Sequence, residues 1–194
     1  MKKTIENLAK AFVGESQARN RYSFYAKTAQ KEGFEQLSEI FLLTAENERE
    51  HAKWLLKLIN ELKGKSGVTG DEITVEASVP TSFGKTVENL KAAIAGEHYE
   101  YTRMYPEYAD TADKDGYPEV GKRLRAIAKA EEHHEQRYKK LLAQLEGHTL
   151  LKKETSVAWV CRKCGYIHVG KEPPEACPSC SHPKNFFELS CGVY

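Results

Sequence analysis

Four glutamates and two histidines recur in this sequence at spacings that could hold metal. Glu48-x-x-His51 is repeated as Glu131-x-x-His134, and each tetrad follows a Gly-Glu pair, Gly14-Glu15 in one half and Gly96-Glu97 in the other. The first glutamate precedes the second by 33 residues in one half and by 34 in the other. A lone Glu-x-x-His on a helix is ordinarily a solvated pair. Two of them, each preceded by a glutamate at matched distance, need another explanation. Carboxylate oxygens with imidazole nitrogens suit iron or manganese, and one Glu plus one Glu-x-x-His from each half supplies donors for two ions.

A second donor set lies near the end of the chain. All five cysteines follow residue 160, and four form Cys161-x-x-Cys164 and Cys177-x-x-Cys180, 12 residues apart. Clustered C-x-x-C pairs point to a tetrathiolate metal site rather than to a disulfide framework. Tetrahedral sulfur serves zinc and iron alike, so spacing leaves both open. Cys191 has no partner at that spacing and is expected to be a packed or tail thiol.

These residues need helices to aim them. Apolar positions at helical spacing run from Ile5 through Leu8, Phe12, Tyr22 and Tyr25 to Ala29, with Thr4 as N-cap and Gly33 as the stop. A second stripe (Leu37, Phe41, Thr44, Leu55, Leu58, Leu62) ends at Gly64, and the short turn between them makes two antiparallel neighbours. Residues 64–85 are rich in Gly, Ser, Thr and Val and read as a long extended crossover from one end of a bundle to the other. A third helix starts near Thr86 and bends at Pro106, and after Gly116-Tyr117-Pro118 a fourth runs through Val120, Leu124 and Ile127 to Gly147. The expected organisation is a four-helix bundle over 1–147, a linker over 148–157 and a small metal-stapled domain over 158–194, too short to build a sufficient core unaided.

Helical periodicity puts Glu15, Glu48, His51, Glu97, Glu131 and His134 on the apolar stripes, facing the bundle interior. Unpaired buried carboxylates are very costly, and few internal cations are available to pair with them, so metal is the economical reading. Glu46, Glu50, Glu132, Glu135, His98 and His133 fall off the stripes or on their edges and are expected in solvent. Glu100, one turn beyond Glu97, has Ala18 as its counterpart in the first half. It adds a fifth carboxylate and makes the site unsymmetrical, or it pairs with Arg103 at the surface.

Bulk properties narrow the partners. The net charge of +1 gives no basic excess to attract nucleic acid or anionic membrane, and no apolar run approaches the ~20 residues a bilayer needs. Glu6, Asn7 and Lys10 interrupt any signal-peptide core, so cytoplasmic residence is expected.

The segments GESQARNRY (14–22), EREHAK (48–53), GEHYEYTRMYP (96–106) and EEHHE (131–135), followed by the CGY and CPSC knuckles, resemble rubrerythrin over essentially the whole chain. The resemblance implies a mainly α fold: a ferritin-like bundle with one long crossover, fused to a rubredoxin-like domain. The Glu and Glu-x-x-His donor set is itself the standard example for ferritin-like di-iron proteins. The resemblance also implies two irons bridged by Glu48 and Glu131, with Glu15 terminal on the first and Glu97 and His134 on the second. Glu100 and His51 would exchange at the first iron, carboxylate when oxidised and imidazole when reduced. Tyr22 and Tyr105 would hydrogen-bond ligand carboxylates, and Cys161, Cys164, Cys177 and Cys180 would hold a third iron. The implied activity is reduction of hydrogen peroxide to water with electrons from NAD(P)H, delivered through a rubredoxin or a separate reductase, in a homodimer or higher assembly. A ferroxidase or iron-storage protein is the alternative, and a non-catalytic zinc-ribbon protein a further one.

Overall fold

The computed structural model describes residues 3–67 and 70–190; Cys191 lies outside them. Four helical rods form the larger part. They are α1 (Lys3–Lys31), α2 (Glu35–Ser66), a third rod made of α3 (Thr86–Tyr99) and α4 (Tyr105–Lys114), and α5 (Pro118–Glu146). Gly33 (φ +82°) turns α1 into α2, Gly67 in the left-handed region closes α2, and Gly116 (φ +86°) precedes α5. α2 thus overruns Gly64 by two residues, because a glycine inside a helix is tolerated when packing continues past it.

Thr4 is not the cap expected of it. Its hydroxyl and backbone N–H both donate to the Asp115 carboxylate, at 2.6 and 2.9 Å, so the start of α1 is capped from the far end of α4. At the other end the Thr86 N–H donates to Glu32 at 3.1 Å. These two contacts set α1 antiparallel to the third rod. The crossover between α2 and α3 runs without regular structure along this pair. Ile73 and Val75 pack on the core beside α1, and the Ser82 carbonyl accepts from Tyr25 at 2.6 Å.

The third rod is not a plain helix. Residues Glu100–Met104 form one π-helical turn between α3 and α4, with Pro106 immediately after it in the first turn of α4. The expected bend at the proline is therefore a widened turn just before it. A π turn accommodates one extra residue in a helix. Tyr22 is seven residues after Glu15 and Tyr105 eight after Glu97, yet both tyrosines reach equivalent buried positions.

The bundle interior has two apolar lobes. One holds Ile5, Leu8, Leu55, Leu58, Tyr105 and Leu124, the other Tyr22, Tyr25, Phe41, Leu90 and Tyr138. Between them lies a polar layer of fully buried glutamates. The small domain is a three-stranded antiparallel sheet, β1 (Val157–Cys161) flanked by β2 (Ile167–Gly170) and β3 (Phe187–Leu189), over a core of Trp159 and Phe187. Arg162 bridges Glu188 of β3 and Glu39 near the start of α2, which seats this domain on the end of its own bundle.

Candidate metal centres

Glu15 on α1, Glu48 and His51 on α2, Glu97 on α3, and Glu131 and His134 on α5 meet in the polar layer. Glu15, Glu97 and Glu131 are completely buried and Glu48 nearly so. Their donor atoms form two groups, Glu15, Glu48, His51 and Glu131 in one and Glu48, Glu97, Glu131 and His134 in the other, all within 4.8 Å of one another. Glu48 and Glu131 belong to both.

The arrangement is nearly two-fold. His51 Nδ1 lies 2.9 Å from Glu48 Oε2, 2.9 Å from Glu131 Oε1 and 3.9 Å from Glu15 Oε2. His134 Nδ1 lies 2.9 Å from Glu131 Oε2, 3.3 Å from Glu48 Oε1 and 3.5 Å from Glu97 Oε2. Each shared glutamate therefore gives one oxygen to each histidine. Donors about 2.1 Å from one ion sit roughly 3 Å apart along an octahedral edge, so these separations fit two ion positions bridged by two carboxylates. Glu15 Oε2, Glu48 Oε1, Glu97 Oε2 and both Glu131 oxygens are buried and face only the two imidazole Nδ1 atoms, too few donors for that many acceptors. Orphaned acceptors on that scale are what metal would satisfy.

The outward oxygens are held. Tyr22 Oη donates to Glu97 Oε1 at 2.5 Å, and Tyr105 Oη donates to Glu15 Oε1. Each tyrosine thus supports the glutamate of the other half, and the π turn restores Tyr105 to that register. Burial and the adjacent carboxylates keep both phenols well above their ordinary range, so they remain donors.

Without metal the layer holds protons instead. Burial opposes charge on Glu48, yet hydrogen bonds from His134 and His51 hold its carboxyl down at about 2. Despite their own burial, the imidazoles are lifted by the surrounding glutamates, His51 to about 10 and His134 to about 12. Burial, with its charged neighbours, raises Glu97 to about 8 and Glu15 well above the carboxylate range.

Glu100 joins neither group of donors. It opens the π turn beside the layer, and burial with the charges of Glu97, Glu131 and Glu48 pushes its carboxyl well up while Arg21 pulls it down. The structure therefore has His51, not Glu100, at the first position. Of the acids and histidines expected in solvent, Glu46, Glu50, Glu132, His98 and His133 are exposed, but Glu135 is not. It is 2 % exposed, with His98 Nδ1 at 2.9 Å, Lys139 Nζ at 2.7 Å and the Tyr101 hydroxyl donating at 3.3 Å. The position after His134 faces α3 rather than water, and this clamp ties α5 to the third rod next to Glu97.

In the small domain two knuckles present the four sulfurs. The Gly165 N–H donates to the Cys161 carbonyl and the Ser181 N–H to the Cys177 carbonyl, both at 2.8 Å, with Gly165 and Ser181 at φ +76° and +59°. Cys161 Sγ lies 3.7 Å from Cys180 Sγ, and Cys164 Sγ 3.6 Å from Cys177 Sγ. A tetrahedron with metal–sulfur bonds of about 2.3 Å has edges of roughly 3.8 Å, so the set fits one ion and no disulfide. The backbone N–H of Tyr166 helps to hold the Cys164 thiol down at about 6, which favours the thiolate a metal requires.

The rubrerythrin family model matches residues 6–142, and the model of the rubrerythrin rubredoxin-like domain matches residues 159–188. The chain belongs to the rubrerythrin family. A relative from Methanocaldococcus jannaschii, which carries the rubrerythrin name provisionally, is 60% identical over all of this chain and 96% of its own length. Rubrerythrin-1 of Clostridium acetobutylicum is 48% identical over 96% of this chain and 94% of its own. Among solved structures, nigerythrin in a partially reduced state has a TM-score of 0.64 at 29% identity, covering 98% of this chain and 88% of that one. Rubrerythrins bind iron, and both donor sets here fit it: two ions in the Glu/His layer and one among the cysteines. Among the described residues no helix is long and apolar enough to cross a membrane.

Proposed function

We propose that this rubrerythrin is a peroxidase that reduces hydrogen peroxide to water, H2O2 + 2 e− + 2 H+ → 2 H2O, and so protects against oxidative stress. Electrons originate in NAD(P)H and reach the bundle through a rubredoxin or separate reductase and the tetrathiolate iron. The observation that carries the reading is the pair of buried glutamates, Glu48 and Glu131, each shared between two donor groups, in a chain that also carries a one-electron centre. When bound, the paired ferrous ions supply both electrons together, so that the O–O bond is cleaved without release of a radical.

The protein's own residues do the rest. Ionised Glu15, Glu48, Glu97 and Glu131 carry four negative charges, which balance two divalent ions when His51 and His134 are neutral. Glu100, at the start of the π turn beside the layer, would supply a fifth negative charge at the position His51 occupies, the charge that more oxidised metal calls for. Tyr22 and Tyr105 orient Glu97 and Glu15 and keep a proton on each phenolic oxygen. The two apolar lobes close the layer off along the bundle axis. A ferroxidase or iron-storage role would need the bundle alone, and the tetrathiolate centre would then have no task.

Peroxide-dependent NAD(P)H oxidation, assayed anaerobically with an added reductase on protein of known iron content, tests this. Two peroxide-derived oxidising equivalents per NAD(P)H are expected. Iron uptake with dioxygen consumption and no peroxide turnover would establish the ferroxidase instead.

A further inference from the structure

The polar layer is approached by openings on two sides of the bundle. Between α2 and α5, His51 borders a shallow depression of about 210 Å³ with Trp54, Arg123 and Ala126, where the Arg123 guanidinium lies 4.0 Å from the Trp54 ring centre. Between α1 and α3 lies a larger cleft of about 430 Å³, walled by Glu76, Ala77, Ser78 and Pro80 of the crossover and reaching Glu100.

Gly14 and Gly96, the residues just before Glu15 and Glu97, both line this cleft. Glycine inside a helix is destabilising relative to alanine, so its presence asks for a reason. Backbone conformation is not the reason, because neither has positive φ. Close packing is not the reason either. A Cβ on Gly14 would meet nothing within 4 Å, and one on Gly96 only Arg21 Nη2 at 3.9 Å. What two missing side chains leave is open floor in a cleft that ends at Glu100, the acid beside the layer. Arg21 borders the same space, with its Nε buried and lacking a hydrogen-bond acceptor.

We infer that this cleft is the port through which hydroperoxides reach the metal layer, with Arg21 donating to the entering oxygens and the Gly14–Gly96 floor setting the size admitted. The inference rests on the peroxidase reading and extends its substrate class. Hydrogen peroxide needs little more than the ~30 Å³ share of a water molecule. The volume of this cleft is several times larger and takes the alkyl part of an organic hydroperoxide. The reaction is ROOH + 2 e− + 2 H+ → ROH + H2O. The O–O bond breaks, one oxygen leaves as water, the other stays on carbon as the alcohol, and the electrons come from the same donor.

The test compares iron-loaded wild type with Gly96→Leu, which fills the cleft, and Ala126→Leu, which fills the depression on the His51 side. Two quantities are measured: kcat/KM for cumene hydroperoxide and for hydrogen peroxide, and broadening by iron of the methyl proton resonance of 2-phenylpropan-2-ol, the alcohol product. Gly96→Leu should lower the ratio of cumene hydroperoxide to hydrogen peroxide kcat/KM by about tenfold or more, the discrimination a pocket makes on such bulk, and abolish the broadening. Ala126→Leu should change neither. Gly14→Leu, on the facing helix, should repeat the result and replaces Gly96→Leu if that variant fails to hold iron. Loss of broadening in Ala126→Leu alone, or broadening kept in both glycine variants, overturns the port. If wild type reduces neither hydroperoxide, the peroxidase reading has failed, and the broadening still decides whether the cleft admits the ligand.

Discussion

Replacing Tyr105 by Phe removes a single oxygen and leaves no cavity, because the ring remains. Tyr105 donates to Glu15 Oε1 where both residues are 0% exposed, so no water takes over the bond. A hydrogen bond to a charged group contributes about 1.5–3 kcal/mol, which corresponds to a fall in metal affinity of about 10–100-fold, the range typical for residues that orient ligands. The loss should be confined to the first ion, since Tyr22 still holds Glu97 on the other side. Metal-free protein should suffer less, about 1 kcal/mol, because burial and the Glu131 and Glu48 charges keep Glu15 protonated there. Anaerobic titration with ferrous ion against a chromophoric chelator resolves the two affinities, and thermal unfolding of the metal-free form gives the stability. Equal affinities in Tyr105→Phe and wild type would refute the orienting role, and an equal loss at both ions would refute its assignment to Glu15.

Three further outcomes are expected. Metal-free protein should lose stability as pH rises. The raised His51 and His134 stabilise it fully below their unfolded value near 6.5, and that contribution is lost as pH climbs towards about 10 and 12. A melting temperature that stays flat from pH 6.5 to 10 without metal would contradict this. Glu48, held at about 2, acts in the opposite sense and withdraws its contribution as pH falls from 4.5 towards 2. Glu100→Ala should keep two metal ions in the bundle but slow peroxide turnover by about tenfold or more, the loss typical when a group supporting a metal site is removed; unchanged steady-state activity would make Glu100 a bystander. Arg162 seats the small domain by Glu39, nine residues or roughly 14 Å along α2 from Glu48, and a head-to-tail dimer would bring a neighbour's cysteines nearer. Mixing Cys161→Ser with Glu48→Ala chains should then restore NAD(P)H-linked activity, whereas no recovery after proven subunit exchange would mean that electrons stay within one chain.

The residues of the polar layer were legible because a helix repeats every 3.6 residues and the duplication doubled the signal. Glu15, Glu48, Glu97 and Glu131 each interrupt an apolar stripe, and nothing in solvent requires that. The knuckles were legible because C-x-x-C followed by a glycine, as at Gly165, encodes its own turn. Non-local contacts were not. Asp115 caps α1 from a position 111 residues away from Thr4, so Thr4 looked self-sufficient as a cap. Glu135 sits at the stripe edge, where burial depends on which rod lies alongside, and periodicity on one helix cannot say that α3 does. The π turn left only a faint trace, the mismatch between 33 and 34 residues, because an inserted residue has no composition of its own.

The most direct test of a self-sufficient peroxide site in the bundle uses Cys161→Ser protein, which lacks one ligand of the tetrathiolate iron. The bundle irons are reduced chemically under anaerobic conditions and mixed rapidly with one equivalent of hydrogen peroxide. The expected result is consumption of that one equivalent, with both bundle irons oxidised and no dioxygen or free radical released. No reaction from a folded, fully metallated sample, or radical release at one electron per peroxide, would contradict the account.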